Sequence, residues 1–469
     1  MTALRPWTAG PEAPRRFETS GDARRLLVIT YHFPPDGAVG GLRWAGITKY
    51  LARLGWEVAI LTAAPAGGNE ATGGAQVESC PHFWTSYGLL RHLDRRLRRS
   101  RPSGSAGASA PWRPGLLGRL RLEVHGFLGF PDPSRGWVLR AGLRARSLIR
   151  RFRPHVVVSS GPPHSAHLAA GIATMGSSVP WFIDLRDPWA RPVAKARQSD
   201  SRIRRWMGQA LFPQLERLVF RAAQGVIANT DQHARALAVR YPDLAIACVP
   251  NGVDPEALPP PAPDPYPGLG IASAGTLYLG RDLTPVVRAL QIFLERHPEA
   301  AAAGSKLRIA GHVDASLAAT FDDAVTAAGL GQHVEVLGPL PRAQALDVVS
   351  RSRLVVVLAQ EQALQIPAKL YETVAMGIPT LVVAGADSAA AVEGARLGAV
   401  VCDPADVAGI ACVLERFWRH DSRVRAPCPV PITYQAIAPL VDELLRENGT
   451  ELRHGWARSR SLSWRNGAR

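Results

Sequence analysis

LVVVLAQEQALQIPAKLYETVAMGIPTLVVAG, residues 354–385, reads as strand, loop, helix and strand. Leu354 to Leu358 is an unbroken apolar, β-branched run of strand length, the pattern of a strand buried on both faces of a parallel sheet. Pro367 suits the first turn of a helix, where its missing N–H costs nothing, and Gly377 followed by Pro379 marks the end of that helix. Thr380 to Ala384 is then the next buried strand. In such a βαβ unit the loop after the first strand opens onto the crevice at the carboxyl edge of the sheet, where the free N–H groups of the helix N-terminus face a ligand. Lys369 and Glu372 stand three apart on that first turn. A cation for phosphate beside a carboxylate that can accept two sugar hydroxyls is what a nucleotide-sugar site needs. The same two residues also suit a solvated helix surface, where such a pair contributes about 0.2–0.5 kcal/mol.

The segment IPAKLYETVAMGIPTLVV, residues 366–383, resembles the donor-binding segment of family-4 retaining glycosyltransferases of the GT-B fold. The resemblance implies an α/β architecture of two doubly wound parallel-sheet, Rossmann-like domains facing each other across a cleft. It also implies transfer of a sugar from a nucleoside-diphosphate sugar to a hydroxyl, with retained configuration, in the assembly of polysaccharides or lipid-linked glycans. In that family two glutamates lie eight positions apart; the second holds the ribose and the first touches the transferred sugar. Glu372 matches the second, and Leu364 stands at the first, with Glu361 close enough to substitute.

Length and composition agree with this frame. A chain of 469 residues is too long for one ordinary core and suggests two domains; 46% hydrophobic and 20% charged residues describe a globular protein. No run approaches the roughly eighteen apolar residues of a membrane span. The start, MTALRPWTAGPEAPRRFETSG, has no apolar core of a secretory signal, so residues 1–21 are read as a loose leader and the protein as cytoplasmic. The 5 cysteines are scattered without paired spacing, against both a disulfide framework and a zinc site. Nothing reads as an Asp-x-Asp metal site, so no cofactor or required divalent ion is expected.

The first domain, residues 22–254, opens on a strand from Arg25 to Tyr31, a Gly- and Pro-rich loop from His32 to Gly41, and a helix from Leu42. Gly40 and Gly41 carry no side chain to obstruct a ligand, although a Gly-Gly pair also suits a plain turn. They match the glycine loop that faces the donor sugar in the resembled family. Farther on, SSGPPHSAHL and FIDLRDPW also resemble that family, which has a cleft-facing histidine near His164. Asp184, Arg186 and Asp187 are expected to project at the carboxyl edge of their strand. His164 equally fits a helix cap, and Asp187 before Pro188 a turn.

PNGVD, residues 250–254, leads into a Pro-rich linker over residues 255–268, and the strand–helix alternation restarts in a second domain, residues 269–446. Gly275 begins its first loop. There the family holds the donor diphosphate with an arginine and a lysine; Thr276 stands at the former, and Arg281 stands roughly for the latter, opposite Lys369. The turn Gly338-Pro-Leu340-Pro matches the loop that receives the base through its backbone in relatives. The resemblance thus assigns His164, Asp187, Arg281 and Lys369 to catalysis and Gly40, Gly41, Gly275, Gly338, Leu340, Pro367 and Glu372 to the donor. A helix from Tyr434 to Arg446 closes the domain, and residues 447–469 form a basic tail. Two other readings stay open: a nucleotide-sugar epimerase of the same fold, and a non-catalytic nucleotide-sugar-binding subunit, the latter motivated by Leu364 and Thr276.

Charge is uneven. Arg91 to Arg153 holds 16 arginines, no lysine and 3 acids, a net +13 of the chain's formal +16. The arginines alternate with Trp84, Tyr87, Trp112, Leu116, Leu117, Phe127 and Phe130 within or beside a mobile basic insert expected over about residues 91–135. Such a stretch suits an anionic membrane surface, with a glycan or lipid-linked acceptor delivered there, at the inner face of the plasma membrane. It is also compatible with arginines coating the solvent face of a sheet-packing helix. Nucleic acid is the competing partner for a pI near 10.4, but no nucleic-acid fold signature accompanies it.

Overall fold

The computed structural model describes residues 23–36, 39–65, 74–82, 116–189, 201–259, 262, 264–278, 280–419 and 432–446. The leader 1–21, the arginine run 91–101, the low-complexity patch 101–115, part of the linker and the tail 447–469 lie outside the described residues.

The first sheet has seven strands: β1 (Arg24–Thr30), β2 (Trp56–Thr62), β3 (Gln76–Ser79), β4 (Val156–Gly161), β5 (Trp181–Leu185), β6 (Gly225–Ala228) and β7 (Ile246–Cys248), in the order β3-β2-β1-β4-β5-β6-β7. The second has six: β8 (Gly270–Ala274), β9 (Lys306–Ala310), β10 (Val334–Val336), β11 (Leu354–Leu358), β12 (Thr380–Val383) and β13 (Val400–Cys402), in the order β10-β9-β8-β11-β12-β13. Both sheets are parallel throughout, as expected of a doubly wound pair.

The run that opens the sequence reading becomes β11, an inner strand with Val355 opposite Ala272 on one side and Thr380 on the other. Its side chains divide between two cores: Leu354, Val356 and Leu358 enter one, Val355 and Val357 the other. β1 does the same, with Leu26 and Val28 on one face and Leu27 and Ile29 on the opposite one. Helices cover both faces, so the period of two along each strand carries no polar side. Strand order reverses once per sheet, between β1 and β4 and between β8 and β11. Crevices open at the carboxyl ends there.

Two expectations need correction. The helix after β1 starts at Val39, not Leu42, so Gly40 and Gly41 belong to its first turn and not to a free loop. The closing helix Tyr434–Arg446, expected to complete the second domain, packs on the first: Tyr434, Ile437, Ala438, Val441, Leu444 and Leu445 join Trp44, Ile47 and Leu51 in one core. Gly46 lies directly under the Tyr434 ring, where any Cβ would collide, and Trp56 Nε1 donates to Asp442 at 2.6 Å. An amphipathic repeat shows that a helix has an apolar face; it does not say which core receives it. The return is fixed beside the linker, where Val253 N donates to Ile432 O at 2.9 Å and Tyr434 N to Val253 O at 2.8 Å.

Candidate functional site

A cavity of about 280 Å³ opens at the carboxyl ends of β8, β9 and β11, at the point where strand order in the second sheet reverses. Two glycines make room for it. Gly275, with φ of 123°, follows β8, and a Cβ there would lie 2.5 Å from Lys369 Nζ. A Cβ on Gly311, after β9, would strike the Gly275 carbonyl. The two loops therefore touch through backbone and leave one gap, which the Lys369 ammonium fills.

Lys369 is the second residue of the helix Ala368–Ala375, whose N-cap Pro367 supplies no side-chain cap. Burial pushes its amine down to about 8; Glu372 opposes the shift, while Arg281 and Arg342 reinforce it. Glu372 is one turn farther on, and Arg342 Nη1 donates to its Oε1 at 2.6 Å. Arg281 enters from the loop after β8, with its guanidinium over the Tyr278 ring and Nη2 donating to Gln362 Oε1 at 3.1 Å. Gln360 grips the same loop, accepting from Asp282 N at 2.7 Å and donating to Asp282 O at 2.8 Å. Three cations and one carboxylate thus converge on a cavity floored by Val355, Val356 and Leu358. An apolar floor with a positively charged rim can hold a flat ring and a polyanion together.

The structure brings together Gly275, Arg281, Leu340, Pro367, Lys369 and Glu372 as the sequence reading expects, and adds Arg342. Gly338, with φ of 71°, makes the turn beside Leu340 but does not line the cavity. Glu361 also stays outside; it is exposed, with φ of 53°, and lies against Gly280. Leu364 faces the other half of the molecule through its carbonyl, which accepts from Thr230 Oγ1 at 2.8 Å.

The residues expected from the first half do not line the cavity. Gly41 packs on the backbone of His32 and Phe33, where a Cβ would approach within 2.8 Å of Phe33 Cα, and Gly40 lies against the Arg186 guanidinium. Each glycine has an internal packing reason, independent of any ligand. His164 stacks on Trp189, with ring centroids 4.9 Å apart. Asp187 accepts from Gln365 Nε2 and so touches the loop after β11. Asp184 is not on the rim: it is buried, accepting from Arg43 at 3.1 Å, Trp44 Nε1 at 2.8 Å and Ser160 Oγ at 2.8 Å.

Residues 105–257 match the family described as Glycosyltransferase Family 4, and residues 274–420 match that described as Glycosyl transferases group 1. The chain is a glycosyltransferase of the GT-B type. Solved structures agree on the fold of this glycosyltransferase. Sucrose-phosphate synthase from Thermosynechococcus elongatus aligns with TM-score 0.56 at 14% identity, over 90% of this chain and 98% of that one. The Anabaena protein HepE, in complex with UDP and glucose, aligns with TM-score 0.55 at 14% identity, over 90% and 100%. A glycosyltransferase from Rickettsia africae aligns with TM-score 0.53 at 11% identity, over 92% and 100%. No curated protein matches the glycosyltransferase sequence.

Proposed function

We propose that this glycosyltransferase moves a sugar from a nucleoside-diphosphate sugar to a hydroxyl of a glycan or lipid-linked acceptor, with retention, at the inner face of the plasma membrane, in cell-surface polysaccharide or glycolipid assembly. The observation that carries the donor assignment is the charge pattern of the cavity, an excess of partly buried cations around Lys369 with a single carboxylate one helical turn away. In this reading Arg281, Lys369 and the helix N-terminus at Pro367 neutralise the departing diphosphate, which also removes the need for a divalent ion. Glu372 accepts the ribose hydroxyls, and the backbone from Gly338 to Leu340 meets the base. His164 and Asp187 take catalytic roles in this reading, from the family resemblance of their segments, and Asp187 bonds to the loop after β11. The fold neighbour HepE was solved with UDP-glucose, a ligand of the proposed class. Retention rests on the resemblance of residues 366–383 to a retaining donor segment.

A calorimetric screen of nucleoside-diphosphate sugars, followed by transfer assays with EDTA present, tests this directly. Glu372→Ala is expected to weaken binding of the matching nucleoside about tenfold, since a hydrogen bond to a charged group contributes about 1.5–3 kcal/mol. Unchanged nucleoside affinity would take Glu372 out of the site. Donor binding without transfer to any hydroxyl would instead favour the subunit reading.

The membrane assignment gains a surface that the arginine count did not locate. On the helix Leu116–Leu128, Leu120 and Phe127 are 62% and 57% exposed, with Val124 between them on the same face. The packed helix Arg202–Ala222 adds Trp206, 60% exposed, and Ile203. Glu123 ties the two, accepting from Ser201 Oγ at 2.8 Å and from the backbone of Arg202 and Ile203. Exposed Arg119, Arg202 and Arg204 flank these apolar side chains. No helix among the described residues is long and apolar enough to cross a membrane. An apolar strip bordered by arginines suits the headgroup region of an anionic bilayer, each cation contributing about 1 kcal/mol. Replacing Phe127 and Trp206 together by serine is expected to cut sedimentation with anionic vesicles at least tenfold. Equal binding of both proteins, or binding equal on neutral vesicles, would remove this surface from membrane contact.

A further inference from the structure

Arg342 stands where its own helix disfavours it. It is the first residue of the helix Arg342–Ser350, which has no acidic residue in its first turn and no side-chain cap. A cation there meets the positive end of the helix dipole, which disfavours it. Its partner comes from another element, the Glu372 carboxylate at 2.6 Å, which is only 13% exposed. Both residues line the cavity that also holds Arg281 and Lys369.

We propose that Arg342 is a second phosphate-binding arginine which Glu372 holds in place until the donor arrives. The inference rests on the reading of this cavity as a nucleoside-diphosphate site. Without ligand, the Arg342–Glu372 contact solves two problems. It keeps a mostly buried carboxylate from standing bare, and it cancels one of three positive charges that would otherwise repel across a small space. A nucleoside diphosphate offers each partner a substitute: ribose hydroxyls donate to the Glu372 carboxylate, and phosphate oxygens accept from the Arg342 guanidinium. The exchange keeps the mostly buried Glu372 carboxylate paired and gives the half-buried Arg342 guanidinium a new counter-charge. It also demands both chemical groups in one ligand. A nucleoside alone would take Glu372 and strand Arg342; inorganic phosphate alone would take Arg342 and strand Glu372. The pair thereby selects ligands that carry sugar hydroxyls and phosphate together.

The test compares uridine, UMP and UDP by calorimetry on wild type, Arg342→Ala and Arg342→Lys, with the adenosine and guanosine series used if the uridine series does not bind. Arg342→Ala is expected to weaken the diphosphate roughly tenfold to a hundredfold while leaving the nucleoside unchanged or a few-fold tighter, because Glu372 is then free. Arg342→Lys should fall between, keeping the charge but losing the planar fork. A thermal scan of each variant confirms that it is folded. If wild type binds the diphosphate and Arg342→Ala binds it equally well or more tightly, Arg342 is only a plug on Glu372 and the proposal fails. A uniform loss for all three ligands overturns it as well. Wild type binding none of the three series would overturn the donor-site reading itself.

Discussion

Replacing Lys369 by methionine should lower turnover roughly a hundredfold to a thousandfold, with a much smaller change in donor affinity. In the proposed transfer, negative charge on the leaving diphosphate grows as the glycosidic bond breaks, so a largely buried ammonium facing it contributes more in the transition state than in the ground state. The amine is confined in the gap that Gly275 leaves, largely away from water, which weakens its screening. Steady-state kinetics check this: a raised KM with unchanged kcat would make Lys369 a plain binding residue. The low proton affinity of this amine adds a pH dependence. With the folded group at about 8 and the unfolded one at its ordinary 10.5, the unfolded chain holds the extra proton between those values. Stability of the free protein should therefore rise as pH increases from about 8 to 10.5, and that contribution is lost again as pH falls through 8. A bound diphosphate favours the charged amine, so donor binding near pH 8.5 should take up a proton and weaken at higher pH. Titrations in two buffers of different ionisation heat measure that proton, and Lys369→Met should abolish it.

Asp184→Ala should be the most destabilising of the substitutions considered, by about 3–5 kcal/mol. The change leaves the Arg43 guanidinium, with a side chain 3% exposed, without its counter-ion, and strips Trp44 Nε1 and Ser160 Oγ of their acceptor. Among the described residues, Arg43 then keeps the carbonyls of Val249 and Pro250 and the Asn251 amide, none of which carries charge. Urea unfolding gives the number. A loss under about 1 kcal/mol accompanied by loss of activity would return Asp184 to the cleft rim.

The contrast between these two residues shows what was legible. Buried parallel strands announce themselves as apolar runs between glycine and proline, so β11, β12 and the helix between them are placed correctly from residues 354–385 alone. Lys369 and Glu372 follow because they sit close to such a strand end, and Arg281 follows from the resemblance of its loop to that of the family. Arg342 does not, since its partner is 30 residues away along the chain and an arginine at a helix start reads as solvated. The sequence reading passes over Gln360 and Gln362, because their grip on Tyr278 and Asp282 depends on the β8–β11 pairing. Asp184 misleads for the opposite reason. A carboxylate beside Arg186 and Asp187 suggests a polar rim, yet strand alternation turns it inward onto Arg43.

The helix Tyr434–Arg446 gives the molecule an order of assembly. The core around the helix Val39–Arg53, with Trp44 and Ile47, is completed only when residues some 180 positions beyond the linker have been made. At the usual 5–20 residues per second, the ribosome needs on the order of ten to forty seconds to deliver them. During that interval the first half is complete in sequence but open along one side. Synthesis of the second half therefore returns a missing layer to the half that emerged first.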